Sequence, residues 1–158
     1  MRFINNILSF AVLVVLIITV ISCDTQDPYR VDFSSAPDPF PIENSTKIET
    51  ESGLAYYVIE EGDGEEVVRR SEVALYYTGR TMDGEIFDSS YRSGNPNPTT
   101  FNDLGSLVKG FREGVIGMKE GGKRVLIIPP DLGYGNSSTH ALRNDTLRFD
   151  IELDEVGY

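Results

Sequence analysis

Strand-like periodicity occurs on both sides of a single helical pattern in this chain, and this order limits the folds that it can adopt. Segments 54–59, 73–77 and 147–153 place apolar residues at every second position, and 125–128 is a continuous apolar run; these patterns are typical of β-strands. Apolar residues recur at spacings of four, four and three within Leu107–Met118, which predicts a short helix. Because strands and helices do not alternate, the order favours an α+β fold in which an antiparallel sheet curls over the helix.

Glycines mark the ends of these segments. Asp83-Gly84 separates the second strand pattern from a short apolar segment, which predicts a hairpin. Gly121-Gly122 predicts the end of the helix. Within the helix, Gly110, Gly114 and Gly117 each reduce the helix propensity by about 1 kcal/mol. We therefore expect the helix to depend on packing against the sheet, which glycine allows it to approach closely.

The composition excludes several classes of function. The chain of 158 residues has a formal net charge of −11, so we expect no nucleic acid partner, because polyanions select clustered Lys and Arg. It contains one Cys, Cys23, and one His, His140. An internal disulfide, a His-rich zinc site and a Cys/His catalytic pair are therefore not expected, and we predict neither a metal nor a cofactor. We expect His140 to be a solvent-exposed loop residue.

The N-terminus has the features of an export signal. Arg2 provides a positive start, and Phe10–Ile21 is an almost continuous apolar run that is shorter than the roughly 20 residues needed to cross a bilayer. The sequence Val20-Ile21-Ser22-Cys23 resembles a bacterial lipobox, in which the Cys thiol is acylated and the preceding bond is cut. We therefore predict a lipoprotein signal peptide at residues 1–22 and lipidation of Cys23. An uncleaved membrane anchor and plain secretion are the alternatives.

Residues 23–46 are predicted to form a flexible tether after the lipidated Cys, because prolines occur there among polar residues without sustained periodicity. The folded domain is predicted at residues 47–158. The protein would then contact a membrane through its lipid anchor. We expect it in the bacterial cell envelope, on the periplasmic side of the inner or outer membrane or at the cell surface.

A series of short motifs resembles the FKBP-type peptidyl-prolyl cis-trans isomerases. None of the motifs is specific alone, but their order and spacing are those of the family across residues 47–157. The resemblance implies an antiparallel sheet of five to six strands around one short helix, in agreement with the periodicity. The motifs are Tyr77-Thr78-Gly79, Asp83-Gly84, Phe87-Asp88-Ser89-Ser90, Val108-Lys109-Gly110-Phe111, Tyr134-Gly135 and Thr146-Leu147-Arg148-Phe149-Asp150.

The resemblance also implies an apolar cup that holds a proline ring. Phe111 would form its floor, the Val108 backbone N–H and the Tyr134 hydroxyl would donate hydrogen bonds to the substrate, and Asp88 would orient Tyr77 or act electrostatically. Without the resemblance, aromatic residues at these positions are typical of a hydrophobic core, and Asp88 is typical of a turn. The implied catalytic set is Tyr77, Phe87, Asp88, Val108, Phe111, Tyr134 and Phe149.

The chain departs from the family pattern at the cup. Ala141-Leu142-Arg143 stands where members commonly have Ile-Pro-Pro, and Phe111 stands where the best-known members have Trp. In residues 91–102, Phe101 is the candidate for an aromatic residue at the edge. These departures predict a shallower and more open cup.

The function implied by the resemblance is peptidyl-prolyl isomerisation that assists the folding of exported proteins. The partners would be unfolded or proline-containing polypeptides, and we expect a monomer. Two alternatives stay open: a non-catalytic module that binds proline-containing segments, and a fixed subunit of an envelope complex.

Overall fold

The structure, a computed structural model, describes residues 30–157. A compact unit begins at Val31. The predicted signal peptide at residues 1–22 and the predicted lipidation site Cys23 lie outside the described residues. Between residues 30 and 157, no helix is long and apolar enough to span a membrane.

The described residues form one antiparallel sheet with a single α-helix, which confirms the predicted α+β fold. The strand order is β1-β2-β6-β7-β3-β4, and β5 pairs with the same edge of β3 as β4 does, nearer the start of that strand. Short 3-10 helices lie at Arg92–Gly94, Leu104–Ser106 and Pro130–Leu132. The other elements are β1 (Lys47–Glu49), β2 (Ala55–Glu60), β3 (Glu72–Thr81), β4 (Ile86–Ser89), β5 (Thr99–Phe101), α1 (Lys109–Val115), β6 (Lys123–Ile128) and β7 (Leu147–Gly157).

The hairpin between β3 and β4 forms where Asp83-Gly84 predicts it. Gly84 adopts a φ of 95°, a backbone conformation that glycine reaches without steric cost. The Thr81 N–H donates to the Glu85 carbonyl oxygen at 2.9 Å and closes the turn. β1 and β5 were not predicted, because each has only three residues and so too short a pattern for periodicity to reveal.

The helix is shorter than the predicted Leu107–Met118. It ends at Val115, and Gly117 then adopts a φ of 79°, a left-handed conformation that ends helices. Gly121-Gly122 is therefore not the helix stop. Met118 is buried as its spacing suggested, but it follows the helix and its carbonyl oxygen accepts a hydrogen bond from the Val67 N–H at 2.8 Å.

The buried face of α1 packs directly on β6. A Cβ atom added to Gly110 would lie 2.6 Å from Ile128 Cγ2, and one added to Gly114 would lie 2.5 Å from Leu126 Cδ1. Both distances are far shorter than a carbon–carbon contact. The two glycines thus bring the helix backbone onto the strand, as predicted from their position, and Phe111 lies between them in the sequence.

Residues that precede β1 are hydrogen-bonded to the outer face of the sheet. Asp150 pairs with Arg80 at 2.9 Å, and both side chains are less than 10% exposed. Asp150 also accepts a hydrogen bond from the Phe40 N–H at 2.9 Å, and Arg148 donates to the Phe40 carbonyl oxygen at 2.6 Å. The outer face of β7 is therefore buried at Asp150. The segment around Phe40 is hydrogen-bonded to β7, and the assignment of residues 23–46 as a tether stays a prediction.

We predict that Gly114→Ala destabilises the domain. The added methyl group must displace Leu126 or lift the helix from β6, and overpacking of this kind costs about 1–3 kcal/mol. Denaturant unfolding followed by circular dichroism measures the change. The control is Lys109→Ala on the exposed side of the same helix, which should change the free energy of unfolding by less than about 0.5 kcal/mol. Equal stability of the two variants would contradict the close packing of α1 on β6.

Candidate functional site

Aromatic rings from four elements meet on the inner face of the sheet. Phe111 of α1 contacts Phe149 of β7 edge to face, with ring centroids 5.0 Å apart. Phe87 of β4 contacts the same Phe149 ring at 5.4 Å. Tyr77 of β3 lies 5.9 Å from Phe111 and 6.4 Å from Phe149. The structure thus brings together four of the residues that the family resemblance implied, and we call these four rings the aromatic cluster.

The aromatic cluster has a buried floor and a partly exposed rim. The rings of Phe111, Phe149 and Tyr77 are buried, and Phe111 is only 3% exposed. Phe87 is partly buried against this core. Val108 and Tyr134 belong to the same partly buried set, so they too lie at the boundary between core and solvent.

Phe101 and Leu142, which lie in the segments that depart from the family pattern, both pack against the core. Leu142, in the segment that replaces the family's Ile-Pro-Pro, packs against the core. Phe101 lies 6.0 Å from Tyr77 and 6.4 Å from Phe111, centroid to centroid. Phe101 therefore lies beside the aromatic cluster, and the expectation of a shallower and more open cup stays a prediction.

Asp88 holds Tyr77 and Arg92 together at the edge of the cluster. The Tyr77 hydroxyl donates to Asp88 Oδ2 at 3.0 Å, and Arg92 Nη2 lies 2.8 Å from Asp88 Oδ1. The Ser89 N–H also donates to Oδ1 at 2.9 Å. Asp88 therefore bonds to the following turn, as the alternative interpretation had it, and also orients Tyr77, as the resemblance implied.

Burial raises the pKa of both candidate tyrosines. Desolvation raises the pKa of Tyr77 well above its usual value near 10, and the neighbouring Asp88 carboxylate raises it further. Burial also raises the pKa of Tyr134, with a smaller contribution from Asp88. Since a phenol donates a hydrogen bond only while it keeps its proton, both hydroxyls stay available as donors at neutral pH.

Two of the hydrogen-bond donors at the rim have no acceptor within residues 30–157. They are the Val108 backbone N–H, which directly precedes α1, and the Tyr134 hydroxyl. A donor that is partly buried without a partner is costly unless water or a ligand satisfies it. The two donors therefore suit the recognition of a carbonyl group beside an apolar surface.

His140 stacks on Tyr134 and is not the solvent-exposed loop residue that we expected. Its imidazole ring lies 3.7 Å from the Tyr134 ring, centroid to centroid, with 12° between the planes. Its Nδ1 accepts a hydrogen bond from the Leu142 N–H at 3.1 Å. The turn between these two residues folds the imidazole back over the phenol.

No group of three or more potential metal ligands exists among the described residues. The arrangement offers apolar walls and neutral donors instead. Such a site can bind an uncharged ring and hydrogen-bond a carbonyl oxygen, and it lacks an activated nucleophile beside the aromatic rings.

Comparison with known proteins identifies the family. The sequence profile of the FKBP-type peptidyl-prolyl cis-trans isomerases matches residues 64–154. The chain belongs to this family. It is 40% identical over 109 residues to the FKBP-type peptidyl-prolyl cis-trans isomerase FkpA of Buchnera aphidicola subsp. Schizaphis graminum, which covers 68% of this chain and 42% of that protein.

Two further relatives support the family assignment. The FK506-binding protein of Neisseria meningitidis serogroup B is 41% identical over 106 residues, which cover 66% of this chain and 96% of that protein. The crystal structure of FkpA from Escherichia coli is similar with a TM-score of 0.65 and 36% identity, over 73% of this chain and 54% of that one. The chain spans about two fifths of the length of the FkpA proteins that it matches.

In this FKBP-type domain, Gly79 is a site residue that the implied catalytic set omitted. A Cβ atom at this position would lie 2.7 Å from Phe149 Cε1 and 2.8 Å from Phe87 Cζ. Only glycine lets these two rings meet over β3. The Tyr77-Thr78-Gly79 motif contained the signal, but its spatial reason depends on the pairing of Gly79 with Phe149 across β3 and β7.

We predict that the raised pKa of Tyr77 appears as alkaline loss of stability. An unfolded chain releases the Tyr77 proton near pH 10, whereas the folded FKBP-type domain retains it. The free energy of unfolding is therefore unaffected by ionisation of Tyr77 below pH 10. As the pH rises from there through the folded-state pKa, it falls by up to about 1.4 kcal/mol per pH unit. Denaturant unfolding between pH 9 and 11 should therefore show a steeper decline for wild type than for Tyr77→Phe. Parallel declines would contradict this role of burial and Asp88.

Proposed function

We propose that this protein catalyses cis–trans isomerisation of peptide bonds that precede proline. The observation that carries the proposal is the aromatic cluster with two unsatisfied donors at its rim, the Val108 N–H and the Tyr134 hydroxyl. Membership of the FKBP-type family supports the same reaction. The substrates would be unfolded or proline-containing polypeptides.

No covalent bond is broken in this reaction. Amide resonance sets a barrier of about 18–20 kcal/mol to rotation, and the barrier falls when the twisted imide is favoured over the planar one. Apolar walls remove water from the planar carbonyl group and accept the twisted form. A reduction of about 5 kcal/mol would accelerate rotation by three to four decades.

Each part of the site has a role in this proposal. Phe111 forms the floor below the proline ring, and Phe87 and Phe149 form the walls. The two rim donors hold carbonyl groups of the substrate, which fixes the peptide while the imide rotates.

Asp88 acts through Tyr77 in this proposal. Its carboxylate accepts a hydrogen bond from the Tyr77 hydroxyl, and its negative charge is paired with Arg92. Asp88 therefore orients the phenol ring that borders the cup. It need not transfer a proton, because the reaction exchanges none.

A non-catalytic module that binds proline-containing segments is the second candidate. The near-complete burial of Phe111, at 3% exposure, favours it, because a proline ring can reach the floor only when side chains at the rim move. Such a module would bind the same peptides without accelerating their isomerisation.

A protease-coupled assay on the full chain in nonionic detergent separates the two candidates. We predict that wild type accelerates isomerisation above the spontaneous rate and that Tyr134→Phe lowers kcat/KM by about fivefold to tenfold, since a lost hydrogen bond costs about 1 kcal/mol. The control is Tyr57→Phe on β2, which lies outside the aromatic cluster and should leave kcat/KM unchanged. A wild-type rate equal to the spontaneous rate would exclude catalysis, and peptide binding without acceleration would establish the binding module.

We also propose that the enzyme works in the bacterial cell envelope, where it would assist the folding of exported proteins. The supporting observations are the apolar run that ends at Ile21 and the lipobox-like residues up to Cys23. Two or three acyl chains at roughly 0.8 kcal/mol per buried methylene would hold the domain durably at a membrane.

Mass spectrometry of the mature N-terminus tests the anchor. We predict that the mature chain begins at Cys23 and carries acyl groups, and that Cys23→Ala abolishes both the cleavage and the membrane attachment. An unmodified Cys23 in a chain recovered from membranes would contradict the lipoprotein assignment and favour an uncleaved anchor.

A further inference from the structure

A cleft of about 310 Å³ lies beside α1, apart from the aromatic cluster. It opens on the exposed side of the helix, because Lys109 is exposed and Arg112 is half-buried, whereas Phe111 between them faces the sheet. We call this cleft the cationic groove. Its lining residues are Arg69, Lys109, Arg112, Glu113, Ile116 and Leu132.

The cationic groove carries an excess of positive charge. Within residues 30–157, the side chains of Arg69, Lys109 and Arg112 form no ion pair or hydrogen bond. The carboxylate of Glu113 is instead bonded to the Ser52 hydroxyl, at 2.9 and 2.8 Å. Three cations and the Glu113 carboxylate line the cleft, so its formal net charge is +2, which is unexpected in a chain with a net charge of −11. The cations match the charge of a carboxylate ligand.

The groove adjoins the candidate site along two segments of chain. Val108 and Phe111 belong to the site, and the next residue after each of them, Lys109 and Arg112, lines the groove. Leu132 of the groove stands two residues before Tyr134. A polypeptide held at the rim donors can therefore continue into the groove, since an extended chain advances about 3.3 Å per residue.

We propose that the cationic groove binds an acidic side chain of the proline-containing polypeptide, within about four residues of the proline. This inference rests on the proposed function, and it adds a substrate preference to it. The half-buried Ile116 and Leu132 would contact the aliphatic part of the bound side chain, and the cations would contact its carboxylate.

A polypeptide fits the groove better than an anionic membrane surface does. A membrane would face the whole acidic domain and be repelled by it, whereas a single side chain meets only the local charge of the groove. Exposed cations at such a rim act mainly on encounter and specificity, so the preference should weaken as salt increases.

The test is a set of peptides that differ only in one residue near the proline. Glu, Gln or Lys is placed two, three or four residues to either side, and kcat/KM is measured for the full chain in nonionic detergent. At low ionic strength, the best Glu peptide should exceed its Gln counterpart by about threefold to tenfold, mainly through KM. The Lys peptide should be the poorest.

Variants assign the preference to the groove. In the double variant Lys109→Gln and Arg112→Gln, the ratio of kcat/KM between Glu and Gln peptides should fall toward one. The matched control is Arg70→Gln, which removes an exposed cation next to Arg69 but outside the groove and should preserve the ratio. Equal kcat/KM for Glu, Gln and Lys peptides would overturn the proposal, as would a preference that the double variant retains.

A binding measurement separates failure of this proposal from failure of the proposed function. If wild type accelerates none of the peptides, catalysis is excluded, and fluorescence anisotropy of the labelled peptides then reports the groove directly. Tighter binding of the Glu peptide that depends on Arg112 supports the groove, and equal affinities overturn it. Mixed micelles containing phosphatidylglycerol are the competing ligand: Arg112-dependent binding to them, without a charge preference among peptides, would make the groove a lipid site.

Discussion

The contact between α1 and β6 positions the rest of the candidate site. Gly110 and Gly114 have no Cβ, so the helix backbone lies against Ile128 and Leu126. Phe111, between the two glycines, is thereby directed into the rings of Tyr77 and Phe149. A helix of seven residues has little stability of its own, and this packing is what holds it and the Val108 N–H that precedes it in place.

Some polar groups around the aromatic cluster have hydrogen-bond partners within residues 30–157, and others have none. Asp88 accepts a hydrogen bond from the Tyr77 hydroxyl and forms an ion pair with Arg92. These contacts orient the Tyr77 ring at one edge of the cup. The Val108 N–H and the Tyr134 hydroxyl have no acceptor within residues 30–157, although the Tyr134 ring is braced by His140. A rigid apolar surface with two oriented free donors is suited to holding a peptide whose imide bond turns, because the donors cost no reorganisation on binding.

Charge is also distributed unevenly over the domain. On the outer face of the sheet, Arg80 and Asp150 form a buried pair that also binds the backbone near Phe40. Removal of one partner from such a pair leaves a buried charge, so the pair ties that segment to the sheet. Beside α1, by contrast, Lys109 and Arg112 form no ion pair within residues 30–157, and an acidic ligand could pair with them.

The sequence by itself determined the five longer strands, the hairpin at Asp83-Gly84 and the close approach of the helix, because periodicity and glycine position are local properties. The order of the motifs also identified the aromatic residues that meet. Only the tertiary structure decided that the helix ends at Val115, that His140 stacks on Tyr134 and that Gly79 makes room for Phe87 and Phe149. These features depend on contacts between residues far apart in the chain, and no local pattern encodes the distance between two rings or between two charges.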